Sequence, residues 1–187
     1  KDLIFLSLTN KIIDNPKNVI SAGINAESQF NIIAKFQKIK KLKKTIILIP
    51  EENYKDEIKK AIKNSKIKKT QIYYYKSDPT KLTKQIEKIT KYSTRKQNLE
   101  DEIARLENSD VSNKEKKIEK LLKRDTLGNI NFDSVIITDF EESLKSITTS
   151  LLYTDVSPKN IHFITLNQWF DESLLKETSS QPIYFPS

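Results

Sequence analysis

Residues 45–76 read TIILIPEENYKDEIKKAIKNSKIKKTQIYYYK. The opening run, Thr45 to Pro50, is β-branched or aliphatic on both faces. A strand apolar on both faces has to be covered twice, which is how a central parallel strand reads. The segment that follows sets Tyr54, Ile58, Ala61 and Ile62 on one side of a helix. Gln71 to Lys76 is again strand-like. Strand, amphipathic helix and strand make a crossover unit, right-handed in nearly all known sheets.

The alternation continues on both sides. Upstream, Leu3 to Leu8 reads as a strand, Asn15-Pro16 breaks it, and Asn18 to Gly23 is a second short strand. A helix follows, with Asn25 as N-cap, Glu27 in its first turn and a stripe of Ile32, Ile33, Phe36 and Ile39. Downstream, Asp78-Pro79 starts a helix with a cap and a proline at its first position. From Leu82 the apolar positions run Ile86, Ile89, Tyr92, Leu99, Ile103 and Leu106, interrupted by Lys96, which reads as one long helix. After a break, Ser112 and Glu115 form a capping box for a helix carrying Ile118, Leu121 and Leu122. Leu82 to Asp125 is therefore expected to be an antiparallel helical hairpin, with Glu87–Lys91, Asp101–Arg105 and Glu119–Lys123 pairs on its exposed faces. Such a hairpin is a solvated face or a lever that touches a partner protein; Lys96, Arg105 and Lys116 are its candidate contacts.

Beyond Gly128, Ser134 to Thr138 is a strand and Glu141 to Tyr153 a helix carrying Leu144, Ile147, Leu151 and Leu152. Ile161 to Thr165 is the next strand, Trp169 to Lys176 a short helix, and Pro182 to Phe185 a last strand. The expected fold is α/β, a Rossmann-like parallel sheet flanked by helices with the hairpin inserted. In such sheets ligands sit beyond the carboxyl ends of the strands. That rule selects Asn25, Glu51, Asn53, Tyr54, Asp139, Asn167 and Trp169 as candidate cleft residues.

Composition removes much of the familiar chemistry. Two glycines among 187 residues leave no glycine-rich phosphate loop and no nucleophile elbow. There is no cysteine, and the single histidine, His162, lies inside a strand-like run, where a structural role is expected. Glu51, Glu52 and Asp139 would suit a carboxylate–metal site. Acids in a first helical turn are favoured by the helix dipole alone, the preferred reading here and the expected role of Glu141 and Glu142. No catalytic residue, metal or cofactor is assigned. The net charge of +8 is almost all lysine, with Arg95, Arg105 and Arg124 the only arginines. Base and phosphate recognition favours arginine, so no nucleic acid is expected. No run is long and apolar enough to span a membrane.

Two longer segments carry a resemblance. Residues 18–54, NVISAGINAESQFNIIAKFQKIKKLKKTIILIPEENY, resemble the start of the second lobe in type I periplasmic-binding folds, with Gln29 and Tyr54 matching the pattern. Residues 124–175, RDTLGNINFDSVIITDFEESLKSITTSLLYTDVSPKNIHFITLNQWFDESLL, look like the penicillin-binding-protein activator branch of that superfamily, the LpoA-like lipoproteins. The resemblance implies two lobes and a hinge, with residues 1–17 holding the last strand of the first lobe and 18–187 forming the second. It implies a periplasmic protein, outer-membrane anchored by a lipid upstream of Lys1, that docks on a peptidoglycan synthase and stimulates it. The chain opens on Lys1 and has no methionine, which reads as a segment of a longer protein. Solute-binding relatives would place glycine where this chain has Lys55 and, just before the tryptophan segment, where it has TLNQW. Bulk at both positions favours the activator over a transporter's solute-binding protein for amino acids or similar small ligands.

Overall fold

The computed structural model describes residues 4–7, 18–21, 23–52, 54–68, 70–166 and 176–186. In chain order the elements are β1 (Phe5–Ser7), β2 (Val19–Ser21), α1 (Ala26–Ile39), β3 (Thr45–Pro50), α2 (Lys55–Asn64), β4 (Thr70–Tyr75), α3 (Pro79–Thr90), α4 (Tyr92–Glu107), α5 (Lys114–Leu122), β5 (Ser134–Ile137), α6 (Glu141–Tyr153), β6 (His162–Thr165) and β7 (Ile183–Tyr184). A short 3-10 turn, Thr178–Ser180, precedes β7. Asn53, Asn167, Trp169 and the helix expected over Trp169 to Lys176, apart from Lys176, lie outside the described residues.

Five strands form one parallel sheet in the order β4-β3-β5-β6-β7. Every residue of β3 is buried. Its alternate side chains divide between two cores, as the pleat requires. Ile46 and Leu48 join Tyr75, Leu82, Ile86, Leu144, Ile147 and Leu151 beneath α3 and α6. Ile47 and Ile49 join Ala26, Phe30, Ile33, Ile58 and Ala61 beneath α1 and α2. The α/β sheet flanked by helices on both faces is thus the fold read from the sequence. β1 and β2 pair with each other in a separate two-stranded parallel sheet. They straddle the division expected after residue 17, and the chain enters the larger sheet only after α1.

Caps are well read from the sequence at two helices. Asn25 Oδ1 accepts the Ser28 N–H at 2.9 Å, and Asp78 Oδ1 accepts the Thr80 N–H at 3.0 Å. Other details differ. In α1 the buried face is Ala26, Gln29, Phe30, Ile33 and Gln37, while Ile32 and Ile39 are exposed. The sheet selects this face because Gln37 Nε2 donates to Thr45 Oγ1 at 2.6 Å, at the start of β3. Tyr54 does not join Ile58 and Ala61 in the core; it precedes α2 with φ 55° and lies exposed.

The long helix is two. Lys91 adopts a left-handed conformation, φ 52° and ψ 39°, closing α3 and starting α4. Ile86 therefore turns to the body, whereas Leu99 and Leu106 are buried along α4, which packs on α5. The Ser112–Glu115 capping box does not form: α5 starts after Asn113, itself left-handed and without a side-chain cap. No residue of α5 is fully buried, so Ile118 and Leu121 are half-covered and Leu122 is exposed. Glu119–Lys123 pairs at 2.6 Å as expected. Arg105 instead takes Glu102, one residue nearer, through two bonds of 2.7 and 2.8 Å, and Asp101 accepts from Gln97. The left-handed turn takes Lys91 out of register with Glu87, and no such pair forms among the described residues.

With so few glycines, other residues take left-handed positions at helix ends. Lys41 (φ 56°) closes α1, with Leu42 N–H returning to the Gln37 carbonyl at 2.9 Å. Asp155 (φ 57°) closes α6 in the same way, with Val156 N–H on the Leu151 carbonyl. A β-carbon in this region costs roughly 1–2 kcal/mol. Lys41→Gly is expected to stabilise the chain by up to about 1 kcal/mol in urea unfolding, the relief being offset in part by glycine's freedom when unfolded. Ile47→Ala, at a fully buried position, is expected to cost about 2–5 kcal/mol. Leu122→Ala, 68% exposed, should stay within about 0.5 kcal/mol in the same assay.

Candidate functional site

The carboxyl ends of β3, β4, β5 and β6 form one rim of the sheet. Helix directions bring further residues to it. Gln37 bonds Thr45 at the opposite edge, so α1 starts on the rim side at Asn25 and runs away from it. Asp78 opens α3 just after β4, and Phe140 precedes α6 just after β5.

The strand ends are fastened by side chains as well as by the ladder. Glu51 N–H extends the β3–β4 pairing to the Tyr75 carbonyl at 2.9 Å. Thr138 Oγ1 donates to the Leu48 carbonyl at 3.0 Å, and Thr165 Oγ1 to the Ile137 carbonyl at 3.2 Å. The Tyr75 hydroxyl donates to Asp139 Oδ2 at 2.5 Å. Because β3 lies between β4 and β5, this bond spans two strand spacings, about 9–10 Å of sheet. Asp139 Oδ1 accepts the Phe140 N–H at 3.0 Å. Tyr75 is the site residue that the sequence reading missed. Its signal was its place at the end of a strand, level with Pro50, where a long phenol can reach a carboxylate two strands away.

Electrostatics follow from burial. Burial pushes the Asp139 carboxyl above its ordinary value of 3.8; the Tyr75 and Phe140 donors act against this, and Glu52 adds to it. The Tyr75 phenol is pushed far up by burial first and by the Asp139 bond second. Glu52 lies across the rim, accepting from Ser77 Oγ at 3.1 Å.

The expected cleft residues are therefore not equivalent. Asp139 is half-buried, and both of its oxygens have donors within the fold. Asn25 is engaged as a cap. Glu51 is exposed, as is Tyr54, whose ring centroid lies 5.9 Å from that of Phe140. Tyr54 and Glu141 both sit at positive φ on this rim, 55° and 50°. Glu141 and Glu142 occupy the first turn of α6, and Glu142 pairs with Lys145 at 2.8 Å. Lys55 lays its ammonium 4.6 Å from the Tyr74 ring centroid. Glu51, Glu52 and Asp139 do not make a metal cage: among the described residues no group of three or more such side chains is close enough to hold an ion. His162 is half-buried between Phe36 and Tyr184, with ring centroids 6.1 and 5.6 Å away, a packing role. Of the hairpin candidates, Lys96 and Lys116 are exposed, and Arg105 is held by Glu102.

The raised Asp139 value has a sign. The folded chain binds this proton more tightly than the unfolded one, so the group's contribution is full below its unfolded value and is lost as pH rises through the folded value. Asp139→Asn keeps an acceptor for Tyr75 and removes the charge. It is expected to flatten stability against pH on the alkaline side of the ordinary carboxylate value and to leave stability at neutral pH unchanged or higher. Tyr75→Phe strips the carboxylate of its donor and should cost about 1–3 kcal/mol. Urea unfolding from about pH 4 to about pH 8 reads both.

No family model matches the sequence, and no curated protein matches it. Among solved structures, an extracellular ligand-binding receptor from Verminephrobacter eiseniae ef01-2 aligns with a TM-score of 0.49 at 9% identity, over 80% of this chain. The chain spans 32% of that receptor's length. So loose a likeness carries no argument about activity, and the fold rests on the strand order described above.

Proposed function

We propose that this chain is the second lobe, with closing strands of the first, of a two-lobed periplasmic protein that binds a penicillin-binding protein and stimulates peptidoglycan synthesis without itself doing chemistry. The observation that carries the reading is the α4–α5 hairpin. It is inserted between α3 and β5; α4 packs on α5 and meets α3 at its root. Leu99 and Leu106 are buried along α4, while both helices present charge outward. An arm that contributes nothing to either sheet core is suited to reaching a partner.

Two further features support the reading. Ile4, Phe5, Leu6 and Ile20 of the β1–β2 region are 57–71% exposed. A two-stranded sheet is marginal in water, so this pair suits a larger lobe with the change of lobe near Gly23 to Asn25. The Asp139 carboxylate is already engaged by Tyr75 and Phe140, which favours a structural rim over a ligand-gripping one. Periplasmic residence and an outer-membrane lipid anchor belong to the same proposal.

A solute-binding role is the second reading, favoured by the exposed Tyr54 beside Phe140. The full-length protein, freed of its lipid and immobilised, is expected to bind the host's bifunctional penicillin-binding proteins saturably. Lys96→Glu combined with Lys116→Glu should weaken binding by about tenfold, ~1.4 kcal/mol. Absence of binding at micromolar concentrations, with a ligand-induced rise in melting temperature across an amino-acid panel, would establish the solute reading instead.

A further inference from the structure

Arg95 is the fourth residue of α4 and is 4% exposed. Its donors go to three separate segments. Nε bonds the Thr90 carbonyl at 3.0 Å, the group orphaned by the break between α3 and α4. One terminal nitrogen bonds Thr126 Oγ1 at 2.9 Å, on the loop returning from α5 toward β5. The other bonds the Thr154 carbonyl at the end of α6. Asp155 lies 3.9 Å from the guanidinium and accepts the Thr126 hydroxyl at 2.5 Å. The Arg95 carbonyl accepts the Leu127 N–H at 2.9 Å. The hairpin's outgoing and returning chains thus meet the body at Arg95, with the Thr126–Asp155 bond beside it.

The surroundings are open. A cavity of about 710 Å³ lies at this root, bordered by Arg95, Arg124, Thr126, Gly128 and Asp155. Gly128 turns the returning chain with φ 125°, a conformation side-chain-bearing residues rarely adopt. The hairpin root is therefore held by directional bonds beside empty space, not by close packing on every side.

We infer that Arg95 is a latch that sets the angle of the α4–α5 arm, and that without it the arm swings about its root while the sheet and its flanking helices stay folded. The latch joins the C-terminal ends of α3 and α6, whose N-terminal ends lie at the rim with Asp78 and Phe140. Displacement of either helix at the rim is transmitted to the arm through those two ends. The inference concerns geometry within one molecule and stands apart from the identity of any partner.

The test is a spin-label distance measurement on the full-length protein; this chain itself contributes no cysteine to interfere. Labels at Ser112→Cys and Lys63→Cys read the arm tip against the body, and labels at Lys35→Cys and Lys63→Cys read the body alone. With Arg95 present, the tip-to-body distribution is expected to be as narrow as the body control. Arg95→Met, which keeps an unbranched apolar stem and removes the guanidinium, should broaden and shift the first distribution only. Thr126→Val, which removes the hydroxyl's bonds to Arg95 and to Asp155 and leaves the arginine's other two bonds in place, should broaden it less. A broad arm distribution in the parent protein overturns the inference, as does a narrow one in Arg95→Met with the body control unchanged. Should Arg95→Met unfold the chain, Thr126→Val decides: broadening supports the latch and an unchanged distribution overturns it.

Discussion

The structure depends on the double burial of β3. All six of its residues are covered, and both of its edges are paired, by β4 on one side and β5 on the other. A strand in that position satisfies its backbone groups laterally and its side chains above and below. Helices are then required on both faces. α1 and α2 cover one face; α3 and α6 cover the other. Parallel pairing places all strand ends with chemical groups on one edge, which is why Glu51, Tyr75 and Asp139 meet there although they are far apart in sequence.

The same constraint explains what the rim has become. The tyrosine at the end of β4 crosses the end of β3 to reach the carboxylate after β5. A rim in many α/β proteins is left open for a ligand. Here part of it is closed by the fold's own hydrogen bonds, and Lys55 rests on Tyr74. The acids that looked equivalent in the sequence divide by burial: Asp139 is held inside, whereas Glu51 and Glu141 face solvent. At the opposite edge, Arg95 gathers three backbone or hydroxyl acceptors. The two edges are connected by α3 and α6, each spanning the sheet once.

Legibility followed the range of the interactions. Strand runs, the caps at Asn25 and Asp78, and the core residues Leu144, Ile147 and Leu151 were readable because each rests on neighbours within a turn or a pleat. The break at Lys91 was not readable. No glycine or proline marks it, and the apolar spacing runs through it; the left-handed turn separates Ile86, buried against the body, from Leu99, buried along α4. The α1 stripe was misread for a related reason: Ile32 and Ile39 fit the helical period, yet only one face can meet the sheet.

The sequence by itself determined the α/β class, the alternation of strands and helices, the inserted charged hairpin, and the absence of glycine-rich phosphate loops and cysteine chemistry. Those properties follow from composition and short-range periodicity. The tertiary structure alone decided that Tyr75 binds Asp139 and that Arg95 is buried. Both rest on contacts between distant parts of the chain, Tyr75 to Asp139 and Arg95 to Thr126 and Thr154. Hydrogen bonds of this kind are set by where the sheet and the two cores place the groups, and that placement is a property of the whole packed chain.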